Sequence, residues 1–462
     1  MPVFSSNNYL DRIKRSVKEE HTQLFRRANL RYLQQTEQAS LKQFNNLSLA
    51  KTRVSDSRHK VLEELDRYLI QFEKHFIANG GEVFWANSAG EACEKVRLLC
   101  ENEENQEVVF TKGRLFHELN IFSYLKRKGI KLLPGDTESY LCELTEEKYL
   151  HHNRVAMDFS SESIYEKLKD AFFPEEKVIG VETLARALRD KLSSYSDHHV
   201  LLSEADFIIA KNGALCFLAD NFDYQIFSGV KKHIVLVGID KVVTALNDLD
   251  LLLPLKASSS GIGTMFPTIN LITSPKKKGE LEGPEELIVI LVNNGRTNIL
   301  KNKRIRKIAT CIHCASCQNH SPLYAVAGTA PYPLPYTSPY GLITAHAFNM
   351  HHKLPDSLNY ALTLSGECKH TCPVKINLQE MCFSNRKDAV EKEQIKPELK
   401  RFMRWYKFMT SSNKRMNNKN LRSIWNFLIK QYMGKYWGYQ REIPRLAPKS
   451  FTRLYAEKYH KE

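Results

Sequence analysis

Between residues 57 and 79 apolar side chains recur every three or four positions, at Val61, Leu62, Leu65, Tyr68, Leu69, Phe72 and Phe76. This spacing predicts one amphipathic helix. Asn79, Gly80 and Gly81 end it, because asparagine and glycine tolerate a left-handed cap. The period then changes. Short apolar runs at 82–86, 107–111 and 130–133 alternate with helical patterns at 88–101 and 114–128. Strand–helix alternation at this spacing predicts a mostly parallel sheet with helices on both faces. Further buried-strand runs lie at 233–239, 268–273 and 287–292, and 207–210 and 215–219 flank Lys211-Asn212-Gly213-Ala214 as a hairpin. The basic run from Lys301 to Ile308 reads as a helix leading into a cysteine-rich region. Residues 323–356, rich in Pro, Tyr and Gly, read as an ordered loop. Four stretches follow: an N-terminal helical segment (1–55), an α/β domain (56–300), a helical cysteine-bearing domain (301–395) and a basic helical tail (396–462).

Composition adds a few limits. With 42% hydrophobic and 26% charged residues the chain has a globular balance. No apolar run approaches the roughly 18–20 residues that span a bilayer, and the first twenty residues lack a signal-peptide core. The expectation is a soluble, cytoplasmic protein. Nearly all of the formal charge of +15 sits in the tail, where twenty Lys and Arg stand against seven Asp and Glu from Arg386 onward. Such a tail fits a membrane surface or an acidic partner, or simply a solvated basic face. Nucleic acid is the least favoured partner, since Trp405, Trp425 and Trp437 follow helical spacing rather than a stacking platform.

The cysteines carry the chemistry. Six of ten, Cys311, Cys314, Cys317, Cys368, Cys372 and Cys382, fall close together, which in a cytosolic chain argues for metal or redox chemistry. CIHCASCQNHSP holds Cys311, Cys314 and Cys317 at successive x2 gaps. Bacterial-type ferredoxins use C-x2-C-x2-C-x3-C-P, in which the cysteine before proline serves the other cluster. Here Ser321 takes that place, before Pro322, while SGECKHTCP supplies Ser365, Cys368, Cys372 and Pro373. By the cross-over rule Cys372 completes a 4Fe–4S iron site with Cys311, Cys314 and Cys317. The second site would draw on Ser321, Ser365 and Cys368, and serine oxygen is a hard, weak ligand for such a cluster. One cluster is therefore expected, the other lost. A zinc site helped by His313, His320 or His370, and a vestigial set of thiols, remain alternatives, and Cys382 reads as core.

Other candidates are weaker. SSSGIGT, with Gly261 and Gly263, lacks the Walker spacing and reads as a loop. His346, His351 and His352 have no carboxylate partners at metal spacing. Arg296, after a buried strand, suits either a bidentate carboxylate contact or a structural tie at the domain junction. No catalytic set is visible.

The cysteine segments, with LDRYLIQFEKHFIANGGEVFWA, FIIAKNGALCF, HIVLVGIDKVV, VNNGRTNIL and REIPRLAPKSF, resemble the lactate utilization protein B family over about residues 30–455. The resemblance implies an α/β LUD domain followed by an α-helical ferredoxin-like domain. It further implies an electron-transfer subunit in L-lactate oxidation to pyruvate, passing electrons among partner subunits of that system. The family's seven motif cysteines are five here, and both losses, at Ser321 and Ser365, fall on one cluster. A structural or regulatory subunit with a vestigial or zinc-bound site is the alternative, and membrane association through the tail is compatible with either.

Overall fold

The computed structural model describes residues 6–101, 107–145, 157–197, 200–219, 229–332, 335–345 and 361–391, 397–412, a few isolated positions between these stretches, and scattered positions to 459. They divide into two compact units, Met1–Asp388 and Ala389–Glu462.

Among the described residues of the first unit ten strands form two sheets. They are β1 (Glu82–Ala86), β2 (Glu107–Phe110), β3 (Lys131–Pro134), β4 (Val200–Glu204), β5 (Phe207–Ile209), β6 (Ala214–Ala219), β7 (Lys232–Gly238), β8 (Val242–Val243), β9 (Thr268–Ile272) and β10 (Glu286–Val292). The larger sheet has the order β1-β10-β7-β4-β2-β3, and every pairing in it is parallel. Its central strands β10, β7 and β4 are buried on both faces, as parallel strands covered by helices are, while the edge strand β1 leaves Trp85 exposed. The alternation is clean. Ile234, Leu236, Ile290, Val292, Val200 and Leu202 face one apolar cluster, with the helix Ala89–Cys100. Val235, Val237, Val289, Leu291 and Leu201 face the other, with Phe72 and Phe76. The smaller sheet, β8-β5-β6-β9, contains the expected hairpin as the antiparallel β5–β6 pair.

Several elements depart from the expected pattern. The 57–79 helix is two helices, Leu47–Glu63 and Leu65–Ala78, broken at Glu64 (φ −119°, ψ 36°), so that each buries its own stripe. The 114–128 helix is Arg114–Leu119 and Ile121–Arg127, hinged at a left-handed Asn120 (φ 57°). Asparagine visits that region more readily than most residues. The basic run before Cys311 is not a helix. A 3-10 turn, Arg306–Thr310, follows the short helix Arg296–Lys301. Within the proline-rich stretch two short helices form, Pro322–Ala327 and Pro339–Thr344. Each begins with serine then proline, a pair suited to a helix start.

The C-terminal ends of β7 and β10 are tied by buried charge. Arg296 donates from Nη1 and Nη2 to the two carboxylate oxygens of Glu118 at 2.9 and 3.0 Å, and from Nε to Asp240 at 2.6 Å. Asn294 and Tyr336 also donate to Glu118, at 2.8 and 2.5 Å. The guanidinium is thus consumed by the protein's own carboxylates, and of the two readings open to Arg296 the structural tie is the one observed. Gly295 is left-handed (φ 93°), and a Cβ there would strike the Ala347 carbonyl. Only glycine's freedom suits Gly295, because the covering segment approaches so closely.

The second unit holds the helices Pro397–Thr410 and Phe451–Tyr459. Trp405 packs on Trp425 with ring centroids 4.3 Å apart, and Met403, Tyr406 and Phe408 are exposed. Trp437 lies outside the described residues, as do His346, His351 and His352. Among the described residues no helix is long and apolar enough to cross a membrane.

Replacing Arg296 with Met should leave Glu118 and Asp240 uncompensated and cost about 3–5 kcal/mol. Urea unfolding of the full chain measures this, and a loss below about 1 kcal/mol would show that the network is not structural.

Candidate metal centre

Cys311 emerges from the 3-10 turn Arg306–Thr310, its N–H donating to the Ile308 carbonyl at 3.1 Å. The next residues curl tightly. His313 (φ 51°) and Ala315 (φ 66°) are both left-handed, as is Lys375 (φ 53°) just after Cys372 and Pro373. Three non-glycine residues in this conformation store strain of about 1–3 kcal/mol each, and such strain concentrates at functional sites. The curling turns backbone amides toward sulfur. The His313 N–H donates to Cys311 Sγ at 3.4 Å, and the Ile376 N–H to Cys372 Sγ at 3.3 Å.

The result is a convergence that chain distance does not suggest. Cys311, Cys314, Cys317 and Cys372 line one small cavity of ≈ 20 Å³, with Tyr340 and Leu378 among its apolar walls. Burial pushes the Cys311 thiol up to about 11, with the neighbouring Cys372 adding to the effect. Cys314 and Cys317 are driven up further, first by burial and then by the other cysteines. Cys372 is raised by burial and eased by amide donors and by Lys51 and Lys307. Among the described residues no three His, Cys, Asp or Glu side chains stand together as ligands of one metal ion would.

The remaining motif residues lie elsewhere. Cys368 is buried on the turn Glu367–His370 but does not line the cavity. Ser365 is exposed. Ser321 is buried, caps Pro322–Ala327 by accepting from the Tyr324 N–H at 3.2 Å, and shares a 2.8 Å hydrogen bond with the Tyr332 hydroxyl. Tyr332 is fully buried beside it. Ser321 thus serves the helix and a tyrosine, and Ser365, in solvent, does not join it. Cys382 is core, as expected.

The histidines have ordinary partners. His320 Nε2 lies 2.8 Å from Glu37, which also accepts from Ser316 Oγ at 2.8 Å. The His313 ring stands edge-on to Tyr340, 4.8 Å between centroids. His370 is exposed. Gly261 caps the helix Leu249–Ser260 at φ 77°, packed against the Leu33 backbone, so the SSSGIGT stretch is a helix end.

The N-terminal segment, which shows no motif, braces this site. Glu37 and Gln34 hold the cysteine loop, the latter by donating to the Asn319 carbonyl at 2.7 Å. Arg26 pairs with Asp158 at 2.5 Å through both Nε and Nη2. The helix Leu47–Glu63 adds Lys51, which donates to the carbonyls of His370 and Thr371 at 3.3 Å. Only the polar residues on buried helix faces, Glu37 and Arg58 above all, signal such contacts in the sequence, and they do not name their partners.

Residues 69–292 match the LUD domain family. Lactate utilization protein B of Bacillus subtilis (strain 168) is 27% identical over 344 residues, 73% of this chain and 70% of that protein. The same-named protein of Lysinibacillus sphaericus (strain C3-41) is 28% identical over 397 residues, 84% and 82% of the two chains. A crystal structure of a DUF162 family protein from Deinococcus radiodurans covers 50% of this chain and 98% of its own, at 16% identity and a TM-score of 0.28. That last likeness is too slight to carry an argument.

Two outcomes are expected of the metal-free protein. Iodoacetamide should modify Cys311 slowly at pH 8 and roughly tenfold faster per pH unit until the thiol titrates at about 11; a plateau already at pH 9 would mean an open site. Ala315→Gly should raise stability by roughly 0.5–1 kcal/mol in urea unfolding, because glycine relieves the left-handed strain.

Proposed function

We propose that this chain is an iron–sulfur electron-transfer subunit of a lactate-utilisation system, holding one 4Fe–4S cluster on Cys311, Cys314, Cys317 and Cys372. The observation that carries the reading is the meeting of these four thiols, from two distant segments, around one apolar cavity. The donor set fits the group: four soft sulfur ligands, amide N–H donors aimed at two of them, and a wall that excludes water. Zinc fits less well. Structural zinc sites typically draw their thiolates from paired C-x2-C knuckles, whereas three of these four come from one seven-residue C-x2-C-x2-C loop, the pattern of cluster proteins. Bound there, the cluster would supply a one-electron carrier.

The residues of the chain do the rest. Thiols that burial holds protonated must lose their protons on loading, so assembly releases acid. The amides of His313 and Ile376 soften the sulfur charge, and the buried wall keeps the centre dry. Ser321 and Tyr332, bonded to each other, leave the second motif without its thiolates, in keeping with a single carrier. The lactate connection comes from the names of the similar proteins. Donor and acceptor would be partner subunits of the same system, with no substrate-converting site required of this chain.

The test is anaerobic purification of the full chain, with iron and acid-labile sulfide analysis and EPR after reduction. About four irons and four sulfides per chain are expected. Cys314→Ser and Cys372→Ser should abolish the signal alike, and Cys368→Ser should leave it. Zinc or no metal would sink the relay and favour a structural or regulatory subunit. About eight irons would show that the second motif still works.

A further inference from the structure

The helix Pro397–Thr410 of the second unit sorts its side chains by chemistry. At about 100° per residue, Phe402, Met403, Trp405 and Tyr406 fall on one side, and Lys400, Arg401, Arg404 and Lys407 on the other. The apolar side is only partly covered. Trp425 takes the Trp405 edge, with ring centroids 4.3 Å apart, and Phe402 is half-buried, while Met403 and Tyr406 remain 56% and 48% exposed. Phe408 stands on the basic side, where the Arg415 guanidinium lies over its ring at 3.9 Å.

The helix Phe451–Tyr459 repeats the pattern. Phe451, Tyr455 and Tyr459 stand one turn apart, their ring centroids separated by 5.9 and 4.7 Å along the ladder. Leu454 flanks them, and all four are exposed, Phe451 by 80%. The carboxylate of this helix, Glu457, is taken by Lys449 at 2.6 Å and by Arg453 at 3.4 Å. The Lys458 ammonium lies 5.4 Å from the centre of the Tyr459 ring, so its stem runs along the apolar side.

Exposed apolar side chains grouped in this way mark a binding surface, and the charge beside them identifies the occupant. A helix seated in a protein groove buries its apolar side and leaves the polar side to water, which gives no reason for cations there. An anionic bilayer engages both sides at once. Apolar side chains enter the acyl boundary, while Lys and Arg stay at the level of the phosphates. Tyrosine and tryptophan are the residues that favour that boundary. The whole tail carries the complementary sign, with twenty Lys and Arg against seven Asp and Glu from Arg386 onward. Helices of 14 and 9 residues are too short to cross a bilayer and suit lying along its surface.

We propose that the second unit is a peripheral docking surface for anionic phospholipid membranes. Met403, Tyr406 and the ladder of Phe451, Tyr455 and Tyr459 enter the interface, and the basic residues beside them meet the phosphates. The proposal concerns the tail and does not rest on the single-cluster reading.

Co-sedimentation of the full chain with vesicles tests it, using phosphatidylcholine alone and phosphatidylcholine mixed with phosphatidylglycerol. Wild type is expected on the mixed vesicles and not on the neutral ones. Raising the ionic strength from about 0.05 to about 0.5 M should weaken the binding roughly tenfold or more. Two double variants, each compared with wild type by far-UV circular dichroism, divide the contributions. Arg401→Gln with Arg404→Gln should weaken binding roughly tenfold, and Met403→Ser with Tyr406→Ser by a similar factor. Absence of binding to either vesicle overturns the proposal and leaves the face to a protein partner. Equal binding to both vesicles overturns it too, because anionic lipid would then not be recognised. So does a loss confined to the arginine pair, which marks unspecific attraction of a basic chain. The vesicle comparison on wild type stands even where a variant fails to fold. Since the readout is independent of iron, failure here and failure of the cluster reading are told apart.

Discussion

Arg296 meets Glu118 and Asp240 at a place where water cannot help any of the three. The guanidinium sits at the end of β10, Asp240 follows β7, and Glu118 comes from a helix on the sheet face. Each charge would be costly alone, so the three can be buried only together. Tyr336 adds its hydroxyl to Glu118, and the Phe348 ring lies 5.0 Å from the guanidinium carbon. The segment beyond the first cysteine loop is thereby fastened to the C-terminal edge of the parallel sheet. That edge is where α/β folds ordinarily expose their working surface. Here it is roofed, and the cysteine loops are the roof's neighbours.

Once the edge is closed in this way, the cysteine site takes its properties from elements far away in sequence. Glu37 and Gln34 of the N-terminal helix hold the loop after Cys314. Lys51 fixes the approach to Cys372, and Arg58 fixes the turn after β7. The local strain at His313, Ala315 and Lys375 persists because these contacts over-determine the loops. The site is therefore a property of the whole first unit. Its amide donors are local, while its bracing is supplied by the N-terminal helices.

Much of this was legible in the chain. Period-two and helical patterns gave the parallel sheet, the β5–β6 hairpin and most of the strands, because a strand buried on both faces must be apolar throughout. The strand β4 left no comparable mark: VLLSE is short and ends in a half-buried glutamate. Helix breaks at Glu64 and Asn120 were equally silent, since apolar spacing runs through both and only packing decides where each stripe turns. The proline-rich stretch was misjudged as loop because proline breaks helices in their interior yet begins them well.

The sequence by itself determined the sulfur inventory. Ligand spacing is covalent, so the run Cys311, Cys314, Cys317 and the Cys372-Pro373 pair, with serines at 321 and 365, define one full set of thiols and one broken set before any folding. Tertiary structure alone decided what surrounds them. It brought Cys372 to the same cavity as the first three, gave Ser321 to Tyr332, and spent Arg296 on Glu118 and Asp240. The reason is that a covalent pattern names which atoms bind, whereas the energy of a buried charge depends on neighbours that only folding assembles.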